Sequence, residues 1–262
     1  MKISVIGAGA MGGAMVEGMV KGEFIGNSDL CVADPVRTTR DHFANMGITA
    51  TPSNQLAAQG ADVVCVVVKP WLVEQVLTGI KEVLDYSRQI LVVVAAGVKW
   101  ADIRTWLDKG TDMIPTFLVI PNIAIAQLQS MTFIVPCASA QPQHTDQVKA
   151  LFDSMGESIL TDEQHLAAGT TLASCGIAYA MRYIRAASEG GVELGFKADD
   201  AKRIVIQTMK GAVTLLEATG LHPEAAIDMV TTPGGVTIKG LNEMEHAGFT
   251  SSVIRGLKAG LK

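Results

Sequence analysis

The apolar run Ile3-Ser4-Val5-Ile6 leads straight into Gly7-Ala8-Gly9-Ala10-Met11-Gly12, and the stretch from Met11 to Val20 has helical spacing. Few folds accept a Gly-x-Gly-x-x-Gly turn wedged between a strand and a helix. The first glycine permits the tight turn, the second lets the backbone approach a pyrophosphate, and the third lets the helix close on the strand. The helix start then faces the phosphates with free N–H groups. Gly7, Gly9, Ala10, Met11 and Gly12 are therefore predicted to hold a dinucleotide.

The alternation continues. Leu30 to Ala33 reads as a second strand ending at Asp34-Pro35. Residues 37–46 read as a helix with Phe43 and Met46 on its apolar face, and Ser53 caps a short helix through Gln59. Val63 to Val68 is a continuous β-branched run, as parallel strands buried on both faces tend to be. Trp71 to Leu84 is helical in spacing, and Ile90 to Val94 is a further buried strand. Lys149–Met155 and Ser158–Leu160 complete this part. The pattern predicts an N-terminal Rossmann domain, a doubly wound parallel sheet, over residues 1–160. Beyond it Leu166–Glu189, Ala198–Thr219, Glu224–Met229, Thr237–Ala247 and Ser251–Leu261 all read as helices. The fold class is thus α/β, with an all-helical C-terminal domain over residues 161–262 and a boundary near Thr161-Asp162.

Composition narrows the partners. With 48% apolar and 18% charged residues, the chain is apolar enough to predict a large buried subunit interface. No apolar run approaches the ~20 residues of a membrane helix. Met1-Lys2 leads directly into the first strand without a signal peptide, so a cytoplasmic protein is expected. The formal charge of −5 leaves no basic footprint for nucleic acid. Cys31, Cys65, Cys137 and Cys175 lack the spacing of a zinc or redox pair, and no metal site is expected.

Asp34, at the end of the second strand, can accept hydrogen bonds from ribose hydroxyls and repel a 2′-phosphate. That favours NADH, while the nearby Arg37 and Arg40 keep NADPH in play. Val68-Lys69-Pro70 and Ala95-Ala96-Gly97 close two buried strands at the crevice edge and are further candidates for cofactor contact. Far downstream, Thr231-Thr232-Pro233-Gly234-Gly235-Val236-Thr237 gathers hydroxyls and backbone amides around a tight turn. Such a turn can hold a small carboxylate and hydrogen-bond a ring nitrogen. Together these features describe a nicotinamide enzyme with a small anionic substrate.

The set resembles the pyrroline-5-carboxylate reductase family. The resemblance rests on the glycine turn, Val68-Lys69-Pro70, Ala95-Ala96-Gly97, Pro121-Asn122 and above all Thr232-Pro233-Gly234-Gly235-Val236-Thr237-Ile238, followed by Met244-Glu245 and Gly248-Phe249. It implies reduction of Δ1-pyrroline-5-carboxylate, an imino acid, to L-proline by NADPH or NADH in the cytoplasm. It also implies a homodimer with intertwined helical domains, which some members extend to a decamer. By the same resemblance the amides of Gly234, Gly235 and Val236 take the substrate carboxylate, Thr237 meets the ring nitrogen, and Thr232 shapes the pocket. Ser174 and Cys175 join the substrate site, and Asn122 the cofactor site. The chain departs from the family's pattern at Leu118, Ile120, Ile123, Ile177 and Ile227, where apolar residues replace polar or rigid ones. Two other classes stay open: a β-hydroxyacid dehydrogenase, which would need a polarising Lys in the helical domain, and a non-catalytic dinucleotide-binding paralogue.

Overall fold

The computed structural model describes residues 1–110 and 113–261. The chain divides into two compact units, Met1–Ile177 and Ala178–Lys262.

The first unit is built on eight strands: β1 (Ile3–Ile6), β2 (Leu30–Ala33), β3 (Thr49–Thr51), β4 (Val63–Val66), β5 (Ile90–Val93), β6 (Thr116–Ile120), β7 (Ser130–Pro136) and β8 (Gly156–Leu160). They lie in the order β3-β2-β1-β4-β5-β6-β7-β8. The strands from β1 to β6 run parallel. β7 turns back antiparallel on β6, and β8 runs parallel to β7. The order reverses between β1 and β4, the crevice where doubly wound sheets bind ligands.

Side chains alternate between the two faces of the sheet, and each face has its own core. Val5, Cys65, Val92 and Phe117 pack with Met15 and Met19 of α1 (Ala10–Lys21), Phe43 of α2 (Arg37–Asn45) and Phe152 of α6 (Pro142–Asp153). Ile6, Val64, Val66, Leu91 and Leu118 pack with Ala57 of α3 (Asn54–Gln59), Leu77 of α4 (Val73–Ile80) and Ile103 of α5 (Trp100–Leu107). The Ser53 hydroxyl caps α3 by accepting the Leu56 N–H, as the sequence suggests. The strands give way to helices after Leu160. α7 (Glu163–Gly169) runs into a five-residue π-helix, Thr170–Ser174, which leads to α8 (Gly176–Glu193).

The second unit holds most of α8 with α9 (Ala198–Thr219), α10 (Pro223–Met229), α11 (Val236–His246) and α12 (Phe249–Ala259). Among its described residues only Ala201 is buried. Met181, Leu194, Phe196, Val213 and Val253 all stand in solvent. A helical unit whose apolar side chains are this exposed has no closed core of its own.

Candidate dinucleotide and substrate sites

The glycine turn joins β1 to α1 at the point where the strand order reverses. Gly7 has φ 90°, and a Cβ there would lie 2.4 Å from the Val67 carbonyl oxygen. A Cβ on Gly12 would lie 1.9 Å from the carbonyl oxygen of Gly7. Both positions are closed to any side chain. The turn is tied to β2 by the Gly7 N–H, which donates to the Ala33 carbonyl at 2.8 Å. Gly9 is the N-cap of α1, and neither a side-chain cap nor an acidic residue occupies the first turn. The opening amides at Ala10 and Met11 thus lie at the positive end of a 12-residue helix, the natural partner of an anion.

Asp34 is buried at the end of β2. Its Oδ2 accepts the Ala8 N–H at 2.8 Å and its Oδ1 accepts the Val36 N–H at 2.8 Å. Arg40 Nη1 donates to the carbonyls of Asp34 and Pro35, both at 2.8 Å. Arg37 is exposed and pairs with Asp41 at 3.6 Å. A cleft of about 400 Å³ opens beside the turn, lined by Gly7, Pro35, Pro52, Val68, Leu72 and Val76 among others. Pro52 and its neighbours follow β3, a strand too short to announce itself in the sequence.

The other expected cofactor residues fall along the same edge of the sheet. Val68, half-buried, and Lys69, exposed, follow β4, and Pro70 opens a 3-10 turn there. Ala95, buried, with exposed Ala96 and Gly97, follows β5. Asn122, buried, follows β6; its side chain accepts the Ala124 N–H at 3.0 Å, and its own N–H donates to Ser130 Oγ at 3.1 Å. The C-terminal ends of β2, β1, β4, β5 and β6 are neighbours in the sheet, so one edge carries every one of these segments. The cradle is closed to side chains at Gly7 and Gly12 and ends on uncapped amides, so these residues fit a dinucleotide.

Of the departures noted in the sequence, Leu118 and Ile120 are buried in β6 and fill the core beside α4 and α5. Ile123 is half-exposed at the start of a 3-10 turn.

In the second unit the Thr-Pro-Gly-Gly segment links α10 to α11. Thr231 Oγ1 donates to the Ile227 carbonyl at 2.7 Å, ending α10. The Gly235 N–H donates to the Thr232 carbonyl at 3.0 Å, closing a turn with Gly234 at φ 67°. A Cβ on Gly235 would lie 2.4 Å from Thr232 Oγ1. Gly235 is the N-cap of α11, again without a side-chain cap or an acidic first turn. Val236 and Thr237 occupy that first turn and are exposed. Ser174 and Cys175 lie in the first unit, at the end of the π-helix, where the Cys175 N–H donates to the Thr170 carbonyl at 2.9 Å. Among the described residues no three His, Cys, Asp or Glu side chains are grouped to hold a metal ion, and no helix is long and apolar enough to cross a membrane.

Residues 163–262 match the family described as pyrroline-5-carboxylate reductase dimerisation, and residues 2–97 match the one described as NADP oxidoreductase coenzyme F420-dependent. Pyrroline-5-carboxylate reductase 1 of Dictyostelium discoideum is 37% identical over 266 residues, covering 97% of this chain. The chain spans about half of that relative's length (48%). Pyrroline-5-carboxylate reductase 2 of the same organism is 33% identical over 268 residues, covering 97% of this chain and 89% of the relative. The crystal structure of Plasmodium falciparum pyrroline carboxylate reductase with NADP bound superposes with a TM-score of 0.90 at 23% identity, covering 100% of this chain and 95% of the other.

Proposed function

The chain belongs to the pyrroline-5-carboxylate reductase family, and from that premise we propose that it reduces Δ1-pyrroline-5-carboxylate to L-proline. Bound at the glycine turn, NADH or NADPH supplies the hydride that converts the ring C=N bond of the protonated imine to C–H and N–H.

The chain's own task is to hold the two reactants, since an imine protonated on nitrogen is already electrophilic and needs little acid–base help. The opening amides of α1 hold the pyrophosphate, while those of Gly7 and Ala8, spent on Ala33 and Asp34, fix the turn around it. Val68-Lys69-Pro70, Ala95-Ala96-Gly97 and Asn122 border the nicotinamide end. In the second unit the amides of Gly234 and Val236 take the substrate carboxylate, while the Gly235 N–H, spent on the Thr232 carbonyl, holds the turn that presents them; Thr232 shapes that pocket, and Thr237 hydrogen-bonds the ring nitrogen. The resemblance to the family also assigns Ser174 and Cys175, in the first unit, to substrate binding. The observation that carries this reading is the uncapped start of α11. Two glycines there leave helix amides free, with Thr237 in the same turn, as a carboxylate beside a ring nitrogen requires.

NADH is the favoured cofactor. The buried carboxylate of Asp34 at the end of β2 supports this, since a negative charge beside the ribose would repel a 2′-phosphate, and Arg40 is engaged with backbone carbonyls. The working form is a homodimer joined through the helical unit; the exposed apolar side chains of that unit support this. The cytoplasm is the proposed compartment, in keeping with four free cysteines.

The test is the oxidation of NADH and of NADPH, followed by absorbance, with pyrroline-5-carboxylate and with its six-membered homologue. Turnover of the five-membered ring, faster with NADH, is expected. Absence of turnover with either cofactor refutes the reading.

A further inference from the structure

A second cavity, of about 730 Å³, opens in the first unit. Its walls include Tyr86 from the segment before β5, Trp100 and Arg104 of α5, Ser139 from the segment after β7, and Gln141 and His144 at the start of α6. β5 begins at this edge of the sheet, and β7, antiparallel to β6, ends at it. The glycine turn, Val68-Lys69-Pro70 and Ala95-Ala96-Gly97 all follow the opposite ends of their strands. Most of its wall therefore lies away from the dinucleotide edge, although Trp100 opens the helix that follows Gly97.

The polar groups in its wall have a common sense. α6 opens with a reciprocal cap: the Gln141 side chain accepts the His144 N–H, and His144 Nδ1 accepts the Gln141 N–H at 3.2 Å. Each side chain has spent an acceptor on the backbone. What remains on Gln141 is its amide NH₂, and on His144 the Nε2–H of the neutral ring. Among the described residues Ser139 Oγ is buried without a hydrogen-bond partner, a condition that native structures seldom leave unexplained. The Arg104 guanidinium makes no ion pair or hydrogen bond among the described residues. No Asp or Glu is among the described residues of the lining. Tyr86 has committed its hydroxyl to the Leu107 carbonyl at 2.6 Å, and the Lys109 ammonium lies 4.5 Å from its ring centre. Glu82 and Asp108 act on the Tyr86 phenol and lie outside the lining.

We propose that this cavity binds a small organic anion with a flat apolar body, an aromatic carboxylate. Arg104 pairs with the carboxylate through its planar fork, and the free N–H groups of Gln141 and His144 complete its shell. The rings of Trp100 and Tyr86 receive the body. Binding here is independent of the reaction at the opposite edge and compatible with bound cofactor.

Isothermal titration of the full chain with 1-naphthoate, and with 1-naphthamide as the neutral isostere, tests this. One site per chain is expected, with the acid at least about tenfold tighter than the amide. The affinity should be the same with and without NADPH. Arg104 is exposed, so Arg104→Gln should fold normally. It should bring acid and amide to within about twofold and leave the rate of NADPH oxidation unchanged. Equal binding of acid and amide, no binding at millimolar concentration, or acid binding that persists in Arg104→Gln each overturns the proposal. Displacement of the acid by L-proline would assign it to the turn before α11 and overturns it as well.

Discussion

The carboxylate of Asp34 accepts the backbone N–H of Ala8 at 2.8 Å, fastening the end of β2 to the middle of the glycine turn. With the Val36 N–H on the other oxygen, the buried carboxylate has an amide on each side. Asp34 thus shapes the turn, and under the proposed function it also sets the charge beside the ribose. Asp34→Ser should weaken both cofactors, since a hydrogen bond to a charged group is worth about 1.5–3 kcal/mol. NADH should lose more than NADPH, because the repulsion of the 2′-phosphate goes with the charge. Dissociation constants for the two cofactors, measured by nucleotide fluorescence, check this. Equal losses would leave Asp34 as a strut alone, and no loss would remove both roles.

Gly12 is the least replaceable residue of the turn. In Gly12→Ala the new methyl would meet the Gly7 carbonyl oxygen, a backbone atom, and the clash cannot be relieved by a rotamer change. The turn must open, at about 1–3 kcal/mol or more. A lower melting temperature with cofactor binding reduced by well over tenfold is expected. A variant that binds cofactor normally would show that α1 can shift without cost.

Thr237 offers a cleaner separation of roles. It is exposed in the first turn of α11. Thr237→Ala should lower kcat/KM for the imine by about ten- to a hundredfold, the worth of one hydrogen bond to a charged group. Melting temperature and cofactor affinity should hold. Wild-type turnover would reduce Thr237 to a residue of the helix start.

Burial pushes the Cys65 thiol up to about 12, from an ordinary value of 9.0. Cys137 is pushed to about 12 as well, by burial first and then by the charge of Glu163. Below about pH 9 the folded and unfolded chains bind these protons alike, and stability is unaffected. Above it the unfolded thiols ionise while the folded ones do not. Stability then falls as pH rises towards the folded value, by up to about 1.4 kcal/mol per unit for each thiol. Thermal melts across the alkaline range should show this decline, and a flat profile would contradict it.

The readable parts of the chain were those whose signals are local. β4 and β5 are continuous apolar runs, Ser53 sits one residue before α3, and α9 spans Ala198–Thr219, as its spacing suggests. What escaped depends on distant partners. β3 is only Thr49–Thr51, an edge strand recognisable by its pairing with β2. β6 and β7 form an antiparallel pair, separated by a 3-10 turn, Ile123–Gln127, whose apolar residues blur the reversal that Pro121-Asn122 begins. The single helix expected from Leu166 to Glu189 is interrupted by the π-helix at Thr170–Ser174, whose i→i+5 bonds leave no compositional trace. At the sites, the turn residues are recognisable from glycine spacing alone. The engagement of Asp34 with Ala8 is not, because the partners are 26 residues apart.

The helical unit sets the last prediction. Met181 of α8 is 61% exposed and Val213 of α9 is 50% exposed, although both belong to apolar runs. Each such side chain, once covered, returns about 1.5–3 kcal/mol, so a set of them favours association strongly. A second copy of the same unit offers the same surface, and a two-fold pairing buries it on both chains at once. Light scattering at micromolar concentration should therefore give at least twice the 27.6 kDa of one chain. Val213→Glu introduces a charge on that surface and should lower both the mass and the melting temperature. A fully active 27.6 kDa species would show that the helical unit stands without a partner.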